Sequence, residues 1–218
     1  MRVEVIRIKA VSEIISVVMI IGISIGLISA AYMYGLPLLQ KSQDKSMLER
    51  IISFFDYYNP SSLPRKIEFV ANTGSTEVLT LDAQGIWKVY PYNHNSPLNN
   101  SIVFSFFSKV TNINTATPIS LISGAACPPS KGIVGKDTFS VVCLTGTPIY
   151  DGFNITYVIY IRSLELPINA SYNEIYSIQL LTPTGGELSS TGKTIRISRQ
   201  GIEKSTNFIA TKVKIEIS

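Results

Sequence analysis

The sequence predicts an α+β chain in which one long hydrophobic N-terminal α-helix precedes an antiparallel β-sandwich. Three observations lead to this prediction. No charged residue lies between Ile14 and Leu39. From Ser61 onward, apolar residues recur with the period of two that is typical of half-buried strands. Turn residues, chiefly Gly, Pro and Asn, separate these segments at the short intervals typical of all-β domains.

The composition excludes several classes of protein. The chain has 218 residues, of which 45% are hydrophobic and 16% are charged. A soluble domain has about 25% charged residues. A disordered chain needs lower hydrophobicity, and a chain that wraps nucleic acid needs a denser positive charge than a net +4. We therefore expect a folded domain with an apolar appendage and no nucleic-acid partner.

The uncharged run Ile14–Leu39 exceeds the about 20 residues that a helix needs to cross a membrane. It is also too long for the apolar part of an ordinary secretory signal. Arg2, Arg7 and Lys9 precede it, so the positive-inside rule places them in the cytoplasm and residues after Lys41 outside.

Small residues recur at helical spacing within this run. Gly22, Gly26 and Ala30 are four residues apart and therefore share one face of a helix. Such spacing lets helix backbones approach closely in an apolar environment. We expect this face to pack against other helices.

The helix is predicted to continue beyond the membrane run with an amphipathic pattern. In Gln40–Tyr58 the apolar residues trace one face with a period of 3.6, and Asn59-Pro60 ends the pattern. The residues on that face are Met47, Leu48, Ile51, Ile52, Phe55 and Tyr58. An amphipathic helix needs one partner surface, which we expect the C-terminal domain to supply.

The residues just before the apolar run are Lys9-Ala10-Val11-Ser12-Glu13. They resemble the leader of an archaeal type IV prepilin, in which a basic residue followed by Gly or Ala precedes the cleavage site. The resemblance covers about residues 8–39. The bacterial version has Gly before the cut, an aromatic residue after it and Glu at the fifth mature position. The present chain has Ala10, Val11 and Glu13 instead, and is similar to the archaeal pattern.

The resemblance implies the organisation of the whole chain. A prepilin peptidase would remove residues 1–10 between Ala10 and Val11, residues 11–59 would form the helix, and residues 60–218 would form an extracellular domain. The mature chains would leave the lipid and polymerise through their helices, with an assembly ATPase and a membrane platform as partners. Glu13, buried among apolar helices, would need a partner, and the Val11 amine of a neighbouring copy would suit it.

Several alternatives stay open. An archaellin has a similar leader and architecture, and Glu13 is equally consistent with a position facing lipid headgroups. A permanently anchored single-span protein with an extracellular binding domain would keep its N-terminus. An extracellular enzyme would need paired carboxylates that the sequence does not reveal.

Nine short segments are predicted as the strands of an immunoglobulin-like sandwich. The clearest is Phe208–Ser218, in which Ile209, Thr211, Val213, Ile215 and Ile217 alternate with Ala210, Lys212, Lys214 and Glu216. Residues 111–135 are predicted to form a surface excursion with only short pairing segments. The other predicted strands are Lys66–Ala71, Glu77–Leu81, Ile86–Tyr90, Ser101–Phe107, Thr138–Leu144, Asn154–Arg162, Glu174–Leu181 and Thr194–Ser198.

Covalent features are predicted in this domain. Cys127 and Cys143 are an even pair on the extracellular side, which favours a disulfide over two unrelated thiols. Asn99, Asn154 and Asn169 each begin an Asn-x-Ser/Thr glycosylation pattern. We expect Asn169, predicted to lie in a loop, to be the most accessible of the three.

No catalytic, cofactor or metal site is predicted. The chain has one histidine, His94, in a predicted loop, and two cysteines, too few for a zinc site of several Cys and His ligands. No nucleotide-binding glycine loop or calcium-binding Asp pattern is present. We therefore expect a structural protein rather than an enzyme.

Overall fold

The computed structural model describes residues 2–109, 115–150, 152–169 and 172–218, with only the backbone described at 2–14, 115, 169 and 172. The chain divides into two compact units. The first, Met1–Gln43, is the N-terminal unit. The second, Asp44–Ser218, is called the β-domain below.

Helix α1 spans Arg2–Phe55 and includes Pro37. It therefore contains the predicted cleavage point, the apolar run and most of the predicted amphipathic segment. It ends at Phe55 rather than at Asn59, because residues 56–62 form turns closed by backbone bonds from Asn59 to Asp56 and from Ser62 to Asn59. Asp44–Phe55 belongs to the β-domain and is called the stem.

The predicted strand at Lys66–Ala71 is wrong, because this segment lies in helix α2, Leu63–Thr73. Pro64 stands in the first turn, where a missing N–H costs nothing. Gly74 ends the helix with φ 78°, a left-handed conformation that favours glycine. Leu63, Ile67, Val70 and Ala71 are buried at helical spacing. Alternation of polar and apolar residues within Lys66–Ala71 suggests a strand. The helical spacing of the buried apolar residues over the whole of Leu63–Thr73 determines the structure.

Within the described residues, the strands form two six-stranded sheets. Sheet 1 has the order β1-β11-β12-β9-β8-β5, and sheet 2 has the order β10-β2-β3-β7-β6-β4. The bounds are β1 Thr76–Thr80, β2 Ile86–Tyr90, β3 Ser101–Ser108, β4 Thr115–Ser120, β5 Gly132–Ile133, β6 Ser140–Ile149, β7 Gly152–Ile161, β8 Leu164–Asn169, β9 Tyr172–Leu181, β10 Leu188–Ser190, β11 Thr194–Ser205 and β12 Phe208–Ile217.

An α+β architecture with a long apolar helix and a strand-rich domain is therefore confirmed. Sheet 2 is antiparallel throughout its described pairs. Sheet 1 is mixed, because β12 pairs with β9 in parallel and β5 pairs with β8 in parallel. The prediction of purely antiparallel pairing is wrong for these two pairs, which join strands that are not consecutive along the chain. The excursion at residues 115–135 contains only β4 and the two-residue β5, as predicted.

Both sheets and both helices contribute to one hydrophobic core. The predicted alternation in β12 is confirmed at Val213 and Ile215, which are fully buried while Lys214 between them is not. It is wrong at the start of the strand, where Ala210 is fully buried and Ile209 is only partly buried. Sheet 2 contributes an aromatic row, Trp87, Phe104 and Tyr157, at cross-strand positions. The stem and α2 add Ile51, Phe55, Leu63, Ile67, Val70 and Ala71.

Asn100 joins the two sheets at one point. Its Nδ2 donates to the carbonyls of Ile161 in sheet 2 and Ile178 in sheet 1, each at 2.8 Å. Its Oδ1 accepts from the Leu180 N–H at 2.8 Å. Its backbone has φ 54°, a left-handed conformation that Asn tolerates better than most residues. This side-chain amide therefore forms hydrogen bonds to the backbone of both sheets.

Candidate functional site

The apolar half of α1 is the most unusual surface of the protein. Its large side chains between Ile15 and Leu39 are all exposed, by 44–76%. The helix is long and apolar enough to cross a membrane. Soluble proteins rarely expose contiguous apolar surface of this size, so such a surface marks contact with lipid or with protein. The chain is thus compatible with a single-pass membrane protein.

The predicted processing residues lie in the first turns of this helix. Ala10, Val11 and Glu13 have helical backbone within α1. Their side chains lie outside the part of the chain whose side chains are described. The pairing of Glu13 with an amine therefore remains a prediction.

The small-residue face of α1 is open in the single chain. Apart from the adjoining backbone of the helix itself, an added Cβ at Gly22 or at Gly26 would meet no atom of the described residues within 4 Å. Ala30 is exposed as well. The fold of one chain therefore places no steric demand for glycine at these positions, although glycine costs about 1 kcal/mol relative to alanine in a helix interior.

The stem is fixed to the β-domain by an aromatic cluster. Phe55 is 0% exposed and its ring centroid lies 4.6 Å from that of Tyr157 and 5.9 Å from those of Phe104 and Trp87. Ile51, one turn earlier, is also fully buried. Burial from bulk water raises the pKa of Tyr157 to about 12, since the phenolate would lose its hydration.

The predicted face of the amphipathic segment is only partly right. Met47 and Leu48 pack against the core, as expected. Ile52 is 44% exposed, whereas Phe54, which was not predicted, packs against the core and lies 6.2 Å from Trp87. Tyr58 follows the end of the helix and is exposed, because the chain has already turned at Asp56.

A second, polar connection fixes the chain just after the stem. The Glu68 carboxylate accepts from the Ser140 N–H of β6 at 2.9 Å, from Tyr57 Oη at 3.2 Å and from Arg65 Nη1 at 3.2 Å. The Arg65 guanidinium also lies 5.0 Å from the centre of the Tyr57 ring. Burial and the neighbouring Glu68 charge raise the pKa of Tyr57. This set is called the Glu68 network.

A shallow cleft of about 340 Å³ runs along the stem. Arg50, Ser53 and Phe54 form one side, and Leu81 and Asp82 form the other. Asp82 pairs with Lys193 and lies 3.8 Å from Arg50 Nη1. The hydrogen bond from Lys193 lowers the pKa of Asp82. All three charged groups are more than half exposed, so their pairing contributes little to stability.

The covalent predictions have different outcomes. Cys127 and Cys143 form a disulfide, as predicted, with their Cα atoms 5.9 Å apart. Among the glycosylation candidates, Asn99 is exposed in a turn and Asn154 is exposed within β7. Asn169 is the last residue of β8, so its placement in a loop is wrong. Whether any of the three is modified stays a prediction.

His94 lies in the loop after β2, with its ring 5.1 Å from that of Tyr90. Among the described residues, no group of three or more His, Cys, Asp or Glu side chains is placed to hold a metal ion. The sequence analysis missed the Glu68 network and the Asn100 bridge. Ser140, the buried partner of Glu68, lies 72 residues away along the chain, and the partners of Asn100 lie 61 to 80 residues away, so these contacts have no local signal.

No protein-family model matches the sequence, and neither a curated protein nor a solved structure matches the chain.

Proposed function

We propose that the chain is a structural subunit, a pilin of an archaeal type IV-like pilus, that assembles into an extracellular filament through its N-terminal helix. The observation that supports this most is the exposed apolar helix whose C-terminal stem is buried in the core of a strand-rich domain. Apolar side chains from many copies would cover one another in a filament core, and the β-domains would form its surface.

The order of features along the chain supports a leader that is removed before assembly. A basic segment ends at Lys9-Ala10, Glu13 follows, and the uncharged run begins at Ile14. Cleavage before Val11 would create an amine beside an apolar helix. A Glu13 carboxylate of a neighbouring copy would neutralise that amine in a medium where an unpaired charge is costly.

The disulfide supports an extracellular location for the domain, because disulfides persist in oxidising compartments. We further propose that the domain is an immunoglobulin-like module. The antiparallel order of sheet 2 supports this, whereas the parallel pairs of sheet 1 are a departure from that pattern. Its role in the filament would be adhesion or contact between cells, and no chemical step is assigned to it.

The experiment is processing of the native chain compared with Ala10→Leu. We expect the native protein in shed filaments to begin at Val11, as read by N-terminal sequencing. Ala10→Leu should leave an intact precursor in the membrane and no filaments, because a bulky residue would block the peptidase. If Ala10→Leu still assembled native filaments, the proposed removal of a leader before Val11 would be wrong.

A permanently anchored single-span binding protein is the second candidate, favoured by the same membrane-length helix. It predicts a protein that begins at Met1, stays in the membrane fraction and is unaffected by Ala10→Leu. An archaellin would behave as the pilin does in this experiment. Loss of swimming rather than of adhesion in a strain that lacks the protein would favour the archaellin.

A further inference from the structure

A second buried apolar patch lies on the outer face of sheet 2. Val142 and Leu144 of β6 face the core, so Val141 and Cys143, which alternate with them, face outward. Val141 and Cys143 are nevertheless 0% and 1% exposed. Their cross-strand partners are Tyr160 and Val158, and Val103 lies on the other side of Val158. These five residues are called the outer patch.

Residues 121–137, called the strap, run past the outer patch and contact it at Cys143 and Tyr160. The strap leaves β4 at the edge of sheet 2, where the Leu121 N–H donates to the Val142 carbonyl at 2.8 Å. Ile122 is buried at 8% exposure. Cys127 then bonds to Cys143 in the patch itself. Pro128–Lys131 and Tyr160 line a cleft of about 200 Å³ beside the strap.

The far end of the strap is attached to sheet 1. Gly132 and Ile133 form β5 beside β8. Lys131 Nζ lies 2.9 Å from the Glu165 carboxylate of β8. Asp137 pairs with Arg162 Nη2 at 3.2 Å. These non-covalent attachments are a two-residue strand with its backbone hydrogen bonds to Ser163 and Glu165, an exposed Lys131–Glu165 pair, and an Asp137–Arg162 pair in which the Arg162 side chain is 9% exposed. The disulfide is the strongest attachment of the strap.

None of Ile122, Val141 and Cys143 belongs to the main hydrophobic core. The strap and the core are therefore separate layers, divided by sheet 2. We propose that the strap is a cover fastened by the Cys127–Cys143 disulfide, and that loss of this bond opens the cover and exposes the outer patch while the core stays folded. Opening presents an apolar surface on the sheet, and such a surface favours association with other proteins.

The consequence depends on the redox state of the compartment. In a reducing compartment the chain would be folded with an open cover, and in an oxidising one the cover would be closed. Reduction by dithiothreitol transfers two electrons to the disulfide and leaves two protonated thiols, while dithiothreitol is oxidised to its cyclic disulfide.

Limited trypsin digestion of the full-length protein in detergent micelles tests this proposal. The strap contains Lys131 and Lys136, whereas Arg196 and Lys212 lie in strands of sheet 1. The samples are the oxidised protein, the protein with dithiothreitol, and Cys127→Ser with Cys143→Ser. Mass spectrometry of the peptides gives the cleavage rate at each site. Emission of the single Trp87, which is 1% exposed, reports on the core.

We expect loss of the disulfide to speed cleavage after Lys131 and Lys136 by about tenfold or more, because cleavage follows the population of the open form. Cleavage at Arg196 and Lys212 and the Trp87 emission should not change. The matched control is Asp137→Asn, which removes the ion pair with Arg162 and keeps the disulfide. Because residue 137 directly follows Lys136, this control is scored at Lys131 alone, where cleavage should stay slow.

Three outcomes would overturn the proposal. Unchanged cleavage in the strap would mean that the disulfide does not fasten it. Faster cleavage at every site with a red-shifted Trp87 emission would mean that strap and core unfold together. Cleavage after Lys131 that is as fast in Asp137→Asn as in the double serine variant would assign the fastening to the ion pair. If the double variant does not fold, the dithiothreitol sample, which starts from folded protein, decides between these outcomes.

Discussion

The two halves of helix α1 have the same secondary structure and opposite surroundings. Between Ile15 and Leu39 the large apolar side chains are exposed. In the stem, Ile51 and Phe55 are fully buried in the β-domain. The apolar side chains of the stem are therefore buried within their own chain. Those between Ile15 and Leu39 form an exposed surface that only lipid or other chains can cover. Substitutions in the two halves should accordingly affect different properties: the stability of the β-domain, or insertion and assembly.

The largest expected loss of stability comes from Phe55→Ala. Removing a buried aromatic ring leaves a cavity among Trp87, Phe104 and Tyr157, and such changes cost about 3–5 kcal/mol. Urea denaturation followed by Trp87 emission measures the free energy of unfolding. Ile52→Ala is the matched control, since Ile52 is 44% exposed in the same helix and should lose much less. Equal losses from the two variants would show that the stem is not anchored as described.

Glu68→Ala should cause the next largest loss of stability. It removes the acceptor for the Ser140 N–H, Tyr57 and Arg65. The Ser140 N–H is buried, and leaving such a donor without a partner costs about 1–3 kcal/mol. The same denaturation experiment checks it, with Glu49→Ala as the control, because Glu49 pairs with Lys45 at 3.9 Å and both side chains are exposed. If Glu68→Ala lowered the free energy of unfolding no more than the control does, the Glu68 network would not help to hold the stem.

A smaller, pH-dependent effect is expected from Tyr157. Burial raises the pKa of this phenol to about 12, above its unfolded value of about 10. The unfolded chain therefore releases the proton first, and stability is lost as pH rises from about 10 towards 12. At pH 11 the loss attributable to this group is about 1 kcal/mol. Tyr157→Phe should remove that part of the slope between pH 9 and pH 11, and an unchanged slope would contradict the burial argument.

These comparisons also show what the sequence could predict. The apolar run, the disulfide and most strands follow from local patterns, as in β2, where prediction and structure coincide at Ile86–Tyr90. The α2 segment was ambiguous, because its short alternation suggests a strand while Leu63, Ile67, Val70 and Ala71 have helical spacing. Pro64 and Gly74 were the signals that should have decided it.

Other features could not be read locally. Parallel pairing of β9 with β12 depends on the path of the whole chain, and Glu68 finds its partner in β6 only after folding. The strand β8 contains Pro167, which made the segment look like a loop and misplaced Asn169. Ile52 is exposed and Phe54 packs near Trp87 because of the direction in which the stem meets the aromatic row. Periodicity alone does not determine that direction.

The central claim is that copies of the chain cover the apolar half of α1, and Gly22→Leu with Gly26→Leu tests it most directly. An added Cβ at either position meets no described atom within 4 Å apart from the adjoining backbone of its own helix, so the stability of the β-domain should not change. Close helix packing between copies would be disrupted, because added bulk at each contact typically costs about 1–3 kcal/mol. The measurement scores membrane-inserted subunit and shed filaments separately. We expect normal insertion, an unchanged unfolding curve and loss of filaments; abundant normal filaments from this double variant would contradict the claim.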